Sequence, residues 1–294
     1  MSNSLSASEK KVVEYYNRST DEFFIKRWHE EHIHFGLFAP GETVRLDQPV
    51  KRVVGMAVER MLEAVIQPAM INSEDVVVDA GSGIGGTALK VAKRHGSRVI
   101  GLNICEYQND IARSRATEAG LADVVQFVYA DCSTSLPLSD ESVDVIINIE
   151  SACHYTDRYK FLSECKRILK PGGRLVAQDW MAARGTSKKL SQEIYSIYIQ
   201  PLCNAWFMES LETKSGYTKM LCEVGFEIVE FVDFAASALP NAYIIEAQYK
   251  KLANLVKTHQ LSDTQCLWME QFRTLSAAWL AGYFQLQRYF VRKN

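Results

Sequence analysis

The chain has 294 residues, 47% of them hydrophobic and 23% charged, enough for one large domain with a substantial core. Lys and Arg number 33 against 35 Asp and Glu, a net charge of −2, which excludes broad electrostatic attraction to nucleic acid or an anionic membrane. Seven cysteines without close paired spacing exclude a disulfide scaffold, no apolar run is long enough for a spanning helix, and no leader is evident, so reduced buried thiols and a cytoplasmic location are expected.

Ser8 to Trp28 is predicted to be helical. An aromatic and histidine-rich stretch follows (Trp28 to Gly36), punctuated by Pro40-Gly41. Val53, Val54, Ala57, Met61, Leu62 and Val65 recur at helical spacing until Pro68. A βα rhythm begins next: strands at 76–80, 98–102, 124–129 and 143–149, helices at 87–95, 106–119 and 159–169. Pro171-Gly172-Gly173 reads as a turn before a fifth strand from Leu175. Helical patterns cover 190–206 and 217–224, a sixth strand 228–232, a helical section 243–280 broken near Ser262, and a final strand 283–291. Such alternation predicts an α/β fold with a mostly parallel sheet covered on both faces. Residues 1–70 are expected to form a helical lid, and 71–294 a core with a helical cap insertion around 185–280.

The strongest local signal is Val76 to Gly86, VVVDAGSGIGG. Apolar residues deliver the chain to the sheet's edge, and the glycines let the backbone turn tightly against a ligand at a helix N-terminus. Gly81, Gly83 and Gly86 also fit the dinucleotide pattern G-x-G-x-x-G, so the motif alone leaves NAD or FAD open. The second predicted strand ends in Asn103, where a dinucleotide enzyme usually carries an acid. Asp131-Cys132 after the third strand suits the rim of an adenine pocket, and Asn148-Ile149-Glu150 reaches the expected reaction centre.

Six stretches, YYNRSTDEFF (Tyr15 to Phe24), HIHFG (His32 to Gly36), VVDAGSGIGG (Val77 to Gly86), GLNICEYQ (Gly101 to Gln108), NIESACHYTD (Asn148 to Asp157) and ILKPGG (Ile168 to Gly173), resemble class I S-adenosylmethionine-dependent methyltransferases. More narrowly they resemble the sterol C24-methyltransferase group and its small-molecule relatives. The resemblance implies a Rossmann-like fold with a mostly parallel seven-stranded sheet and a helical substrate cap. It implies that Asp79, Gly81, Ser82 and Gly83 hold the methionine portion of the cofactor. Asn103, Ile104 and Gln108 would line the ribose edge, Asp131 and Cys132 the adenine, Asn148 the floor, and Tyr16 would close over it. Where sterol enzymes carry Tyr-Glu-Trp-Gly-Trp-Gly, this chain has Phe24 to Phe35, which points away from a full sterol. The Leu239-Pro240 region and Tyr289 to Val291 are similar to isoprenyl-diphosphate members.

A sulfonium methyl needs an aligned nucleophile and exclusion of water, and positioning supplies much of that catalysis. The expected function is methylation of a small, mostly apolar acceptor, favoured as C-methylation of an isoprenoid alkene. Its carbocation would be lined by Trp28, Phe35, Tyr155, Trp180, Trp206 and Phe207, aromatic faces contributing about 0.5–2 kcal/mol each. Glu150 is the first candidate base, with His154 and His34 as alternatives. A small amine or carboxylic acid is the alternative acceptor, and a non-catalytic nucleotide-binding protein the alternative class. No protein-bound metal is expected, since neighbours in the His29–His34 run would point apart. Mg2+ enters only with a diphosphate substrate. The oligomeric state is left open, a homodimer included.

Overall fold

The computed structural model describes residues 5–183 and 192–294. At its centre β1 (Val76–Ala80) pairs in parallel with β2 (Arg98–Asn103) on one side and β4 (Val143–Ile149) on the other. Next to β2 lies β3 (Val125–Tyr129), and next to β4 lies β5 (Leu169–Ala182), both parallel. β7 (Phe284–Lys293) runs antiparallel between β5 and β6 (Phe226–Asp233), giving the order β3-β2-β1-β4-β5-β7-β6. Successive side chains point to opposite faces, so Val77, Val145, Ile147 and Val176 enter one core and Val78, Ile146, Leu175 and Ala177 the other. Both faces are covered, which is why these strands read as unbroken apolar runs.

Helices α1 (Ala7–Ser19) and α2 (Val50–Ile66) precede the sheet. The first starts with a capping box between Ser6 and Glu9; the second buries Val54, Ala57, Val58, Met61, Leu62 and Val65, one helical stripe. Beyond α1, Thr20–Trp28 is a wider π-helical segment, closed where the His29 N–H donates to Phe24 O at 3.0 Å. The crossovers α3 (Gly86–His95) and α4 (Glu106–Glu118) pack on the α2 side of the sheet, and α5 (Arg158–Ile168) on the other. The chain is helical from 192, with a π segment at Tyr195–Ile199 and then α6 (Gln200–Ala205); the first two residues of the predicted 190–206 helix lie outside the described residues. Finally come α7 (Lys214–Val224), α8 (Pro240–Leu255) and α9 (Asp263–Leu280), the last capped by Ser262 and Gln265 at the expected break.

One element departs from expectation. Pro171-Gly172-Gly173 does not end a turn before a short strand but lies inside β5. The partners Val143–Leu169 and Val145–Arg174 place extra residues on β5, so the three bulge outward while pairing resumes beyond them. All seven cysteines are unpaired, five of them buried. No helix among the described residues is long and apolar enough to cross a membrane.

The stretch after the π segment is pinned against α2. The Gly36 N–H and C=O both bond the buried amide of Asn241, and a Cβ at Gly36 would lie 2.5 Å from Ala57 Cβ and 2.6 Å from the Ala57 carbonyl carbon. Gly36→Ala is therefore expected to destabilise the fold by about 1–3 kcal/mol, the usual cost of overpacking. Denaturant unfolding checks it, and an unchanged midpoint would contradict this packing.

Candidate active site

The chain leaves β1 and β4 toward opposite ends of the sheet, and the crevice beyond their C-terminal ends is where an open α/β sheet binds its ligand. A cavity of about 1340 Å³, mouth included, lies there. Its floor is built from strand-end loops: Gly81 to Gly86 after β1, Asn103-Ile104 after β2, Asp131 to Ser133 after β3 and Glu150 to Tyr155 after β4. Its roof is the N-terminal segment, through Glu9, Tyr16, Phe24 and Ile33, joined by Ile245 of α8 and Phe272 of α9.

At the glycine end, Gly81 and Gly83 hold left-handed backbone, at φ +80° and +52°. A Cβ on Gly83 would face open cavity, with only Ile33 Cδ1 within 4 Å, at 3.7 Å. Asp79 Oδ2 and Ser82 Oγ are buried there without a hydrogen-bond partner. Burial pushes the Asp79 carboxyl up to about 7, against the backbone N–H of Ala88. An empty cradle beside an orphaned acceptor and an orphaned hydroxyl fits a ligand carrying an ammonium group and hydrogen-bonding oxygens.

The Asn103 amide donates to Gly83 O (3.3 Å) and to Gln108 Oε1 (3.0 Å), while Gln108 donates to Thr20 Oγ1 (3.0 Å). Aspartate could not make the two donations, which accounts for asparagine at this strand end. The network also ties the floor to the roof. Across the cavity, burial raises the Asp131 pKa, and the neighbouring carboxylate of Glu9 raises it further.

Glu150 sits at the reaction end in left-handed backbone, φ +48°. Its Oε1 accepts from the Phe35 N–H and its Oε2 from Trp180 Nε1, both at 2.9 Å. Its partial exposure is exposure to the cavity; enclosure by apolar side chains pushes the carboxyl up to about 8, outweighing the two hydrogen bonds. Around it Phe35 stacks on Trp180 (centroids 5.7 Å), Trp180 meets Trp206 edge-on (5.0 Å) and Trp28 meets Phe35 edge-on (5.3 Å). His34 Nδ1 bonds Phe35 O at 2.9 Å, which leaves Nε2 a buried, unpartnered lone pair; burial lowers its pKa to about 4. His154 Nε2 meets Tyr16 OH at 3.3 Å, and burial, then the charge of Arg158, lowers its pKa to about 4. Both imidazoles are neutral at physiological pH.

The structure thus brings Tyr16, Asp79, Gly81, Ser82, Gly83, Asn103, Ile104, Gln108, Asp131 and Cys132 to one end of the cavity, and Glu150, His34, Trp28, Phe35, Trp180 and Trp206 toward the other, with His154 beside Tyr16. Three expectations need correction. Asn148 lies beneath the wall, fully buried, its NH2 donating to Ala80 O (2.8 Å) and Tyr155 OH (3.2 Å) while its Oδ1 has no partner. Phe207, at φ +57°, turns away and packs on Tyr15 (5.9 Å), outside the cavity. Tyr155 lines the cavity, but its hydroxyl accepts from Ser151 Oγ (2.7 Å) beside Gly81, away from the aromatic group.

Sequence reasoning missed Glu9, Phe23, Ile245 and Phe272. Glu9 had a legible role as the capping-box residue of α1, and its second role at the cavity follows only from where α1 lands. The other three are apolar positions on helical stripes, with no local mark of facing a ligand.

These features suit an enzyme that binds a nucleotide-bearing cofactor beside an apolar acceptor pocket. A model of the methyltransferase domain family matches residues 78–177. A sarcosine/dimethylglycine N-methyltransferase of Aphanothece halophytica is 30% identical over 253 residues, 84% of each chain. The chain belongs to the class I S-adenosylmethionine-dependent methyltransferases, and it is an enzyme that uses that cofactor on a small-molecule acceptor. Two solved structures share the fold: a putative sarcosine dimethylglycine methyltransferase from Galdieria sulphuraria (TM-score 0.78, 23% identity, 95% of this chain and 98% of that one) and geranyl diphosphate C-methyltransferase from Streptomyces coelicolor (TM-score 0.71, 20% identity, 99% and 100%). The family places the chain among small-molecule methyltransferases rather than specifically with the sterol C24 enzymes, and sets aside the dinucleotide and non-catalytic readings.

Proposed function

We propose that this enzyme methylates a nitrogen of a small, largely apolar amine. The observation that carries the reading is that the cavity's ionisable wall is acidic, apart from neutral imidazoles. Glu9, Glu31, Asp79, Asp131 and Glu150 line it, and among the described residues no Lys or Arg does. Such a wall favours cationic or neutral acceptors over a carboxylate or diphosphate, which would lack a partner. The relative from Aphanothece halophytica is itself an N-methyltransferase, although its named acceptors carry carboxylates.

In this reading the Gly81–Gly85 loop with Asp79 and Ser82 holds the amino-acid end of the cofactor. Asn103, Ile104 and Gln108 face its ribose, Asp131 and Cys132 its adenine, and Tyr16 covers it. Bound there, S-adenosylmethionine supplies an electrophilic methyl group on a positively charged sulfur. Trp28, Phe35, Trp180 and Trp206 exclude water and hold the acceptor's apolar body, their faces favouring its positive charge. Glu150 accepts the proton the ammonium form must lose, which it can do once ionised, above the pH of about 8 to which burial lifts its carboxyl. The unpartnered Nε2 of His34 is the alternative acceptor.

A second reading, C-methylation of an isoprenoid alkene, is favoured by the same aromatic faces, which would stabilise a carbocation. Its diphosphate form would need a cation such as Mg2+ to bring the phosphates past five carboxylates. Labelled cofactor offered with apolar amines, sarcosine, an uncharged prenyl alkene and geranyl diphosphate separates the two. Transfer to the apolar amines is expected; transfer confined to the alkene or to anionic acceptors would overturn the amine assignment.

A further inference from the structure

The histidine-rich run has a feature that methyl transfer does not use. His29 Nδ1 accepts from the backbone N–H groups of Glu31 and His32, both at 3.2 Å, and so shapes the loop that follows. That loop brings Glu31 and His32 against Glu59 of α2, with one donor atom of each within 4.8 Å of the others. His32 Nε2 is 3.8 Å from Glu59 Oε1, and the residue is only 3% exposed, yet this nitrogen has no hydrogen-bond partner. Both carboxylates are accessible from solvent, with side chains 57% and 39% exposed. Lys90 of α3 lies across them, paired with Glu59 and 3.8 Å from Glu31.

We propose that Glu31, His32 and Glu59 form a site for a divalent transition-metal ion of the Zn2+ type, with Lys90 as the cation that holds the carboxylates when no metal is bound. One imidazole nitrogen and two carboxylate oxygens are a Zn2+ donor set, and water completes the tetrahedron. Bonds of about 2.0–2.2 Å require donors roughly 3.4 Å apart. The two glutamates close that gap by rotating their exposed side chains, while the buried imidazole stays fixed. Lys90 shows that the cluster already attracts positive charge. Its ammonium satisfies the carboxylates and leaves the imidazole nitrogen bare; a divalent ion satisfies all three. The expectation that neighbours on the run point apart does not hold for Glu31 and His32, whose donor atoms lie within 4.8 Å of each other, and the third donor comes from a different helix. The ion would fasten the loop over the cavity to α2, and this holds for any methyl acceptor.

Calorimetric titration of the full chain with ZnCl2, and optical titration with CoCl2, test the site. Saturable one-to-one uptake is expected, without a thiolate-to-cobalt charge-transfer band. His32→Gln and Glu59→Gln should each weaken it by at least about tenfold. Lys90→Met should tighten it, because the competing cation is gone, and this variant leaves the donors in place should His32→Gln fail to fold. Uptake indifferent to His32, a thiolate band, or Lys90→Met binding no better than wild type would each overturn the proposal.

Discussion

Glu150→Gln is expected to lower kcat by about 10²- to 10⁴-fold, the range of a lost general base, while cofactor affinity stays within a few-fold of wild type. The separation follows from position. Glu150 is bonded among the aromatic side chains, to Phe35 and Trp180, and is not part of the glycine cradle. Burial holds its carboxyl at about 8, so it is protonated and unable to accept a proton below that pH, and ionised above it. With a weakly basic amine that is already neutral at pH 6, turnover in wild type should rise with pH through a midpoint near 8, and Glu150→Gln should lose that inflection. The glutamine amide keeps one of the two N–H donors and turns its NH2 toward the other, at a stability cost of about 1–3 kcal/mol that a thermal melt would register. Unchanged turnover in the folded variant would remove Glu150 from the chemistry.

Gly83→Val is the second large effect. Any side chain at φ +52° is strained by about 1–3 kcal/mol, and a valine there projects into the space the glycine leaves open. The strain lowers stability; the side chain, by keeping the cofactor off the loop, should lower affinity about 100-fold or more, equivalent to about 2.8 kcal/mol. Calorimetry with S-adenosylmethionine reads this directly, with circular dichroism to establish folding. A folded variant with wild-type affinity would show that the cofactor does not approach this loop.

Much of this was legible before any coordinates. The limits of β1 and β4 were readable because a buried parallel strand leaves a bounded apolar run, and the helix after Gly85 because a glycine loop precedes an amphipathic pattern. The floor was legible for the same reason: its residues sit at strand ends, and strand ends of such a sheet converge. Asn148 shows the limit, since two residues before Glu150 the side chain points under the wall rather than into the cavity. The roof was far less legible. Phe207 and Phe272 are both aromatic, but Phe207 sits in the turn after α6 and faces away, while the packing of α9 against the π segment turns Phe272 into the cavity. Nor does any local pattern announce that Glu59 meets His32.

The roof joins elements that precede the sheet in the chain to α9, which lies far beyond the nucleotide loop in sequence. Trp268 of α9 donates to Ser19 Oγ at the end of α1 (3.1 Å), and Phe23 packs on both Trp268 and Phe272. During vectorial synthesis the strands bearing the nucleotide loop and the N-terminal part of the roof emerge long before residue 263, so a growing chain lacks the part of the roof that α9 supplies. The enclosed compartment that shields a reactive methyl donor from water is completed only once α9 has emerged.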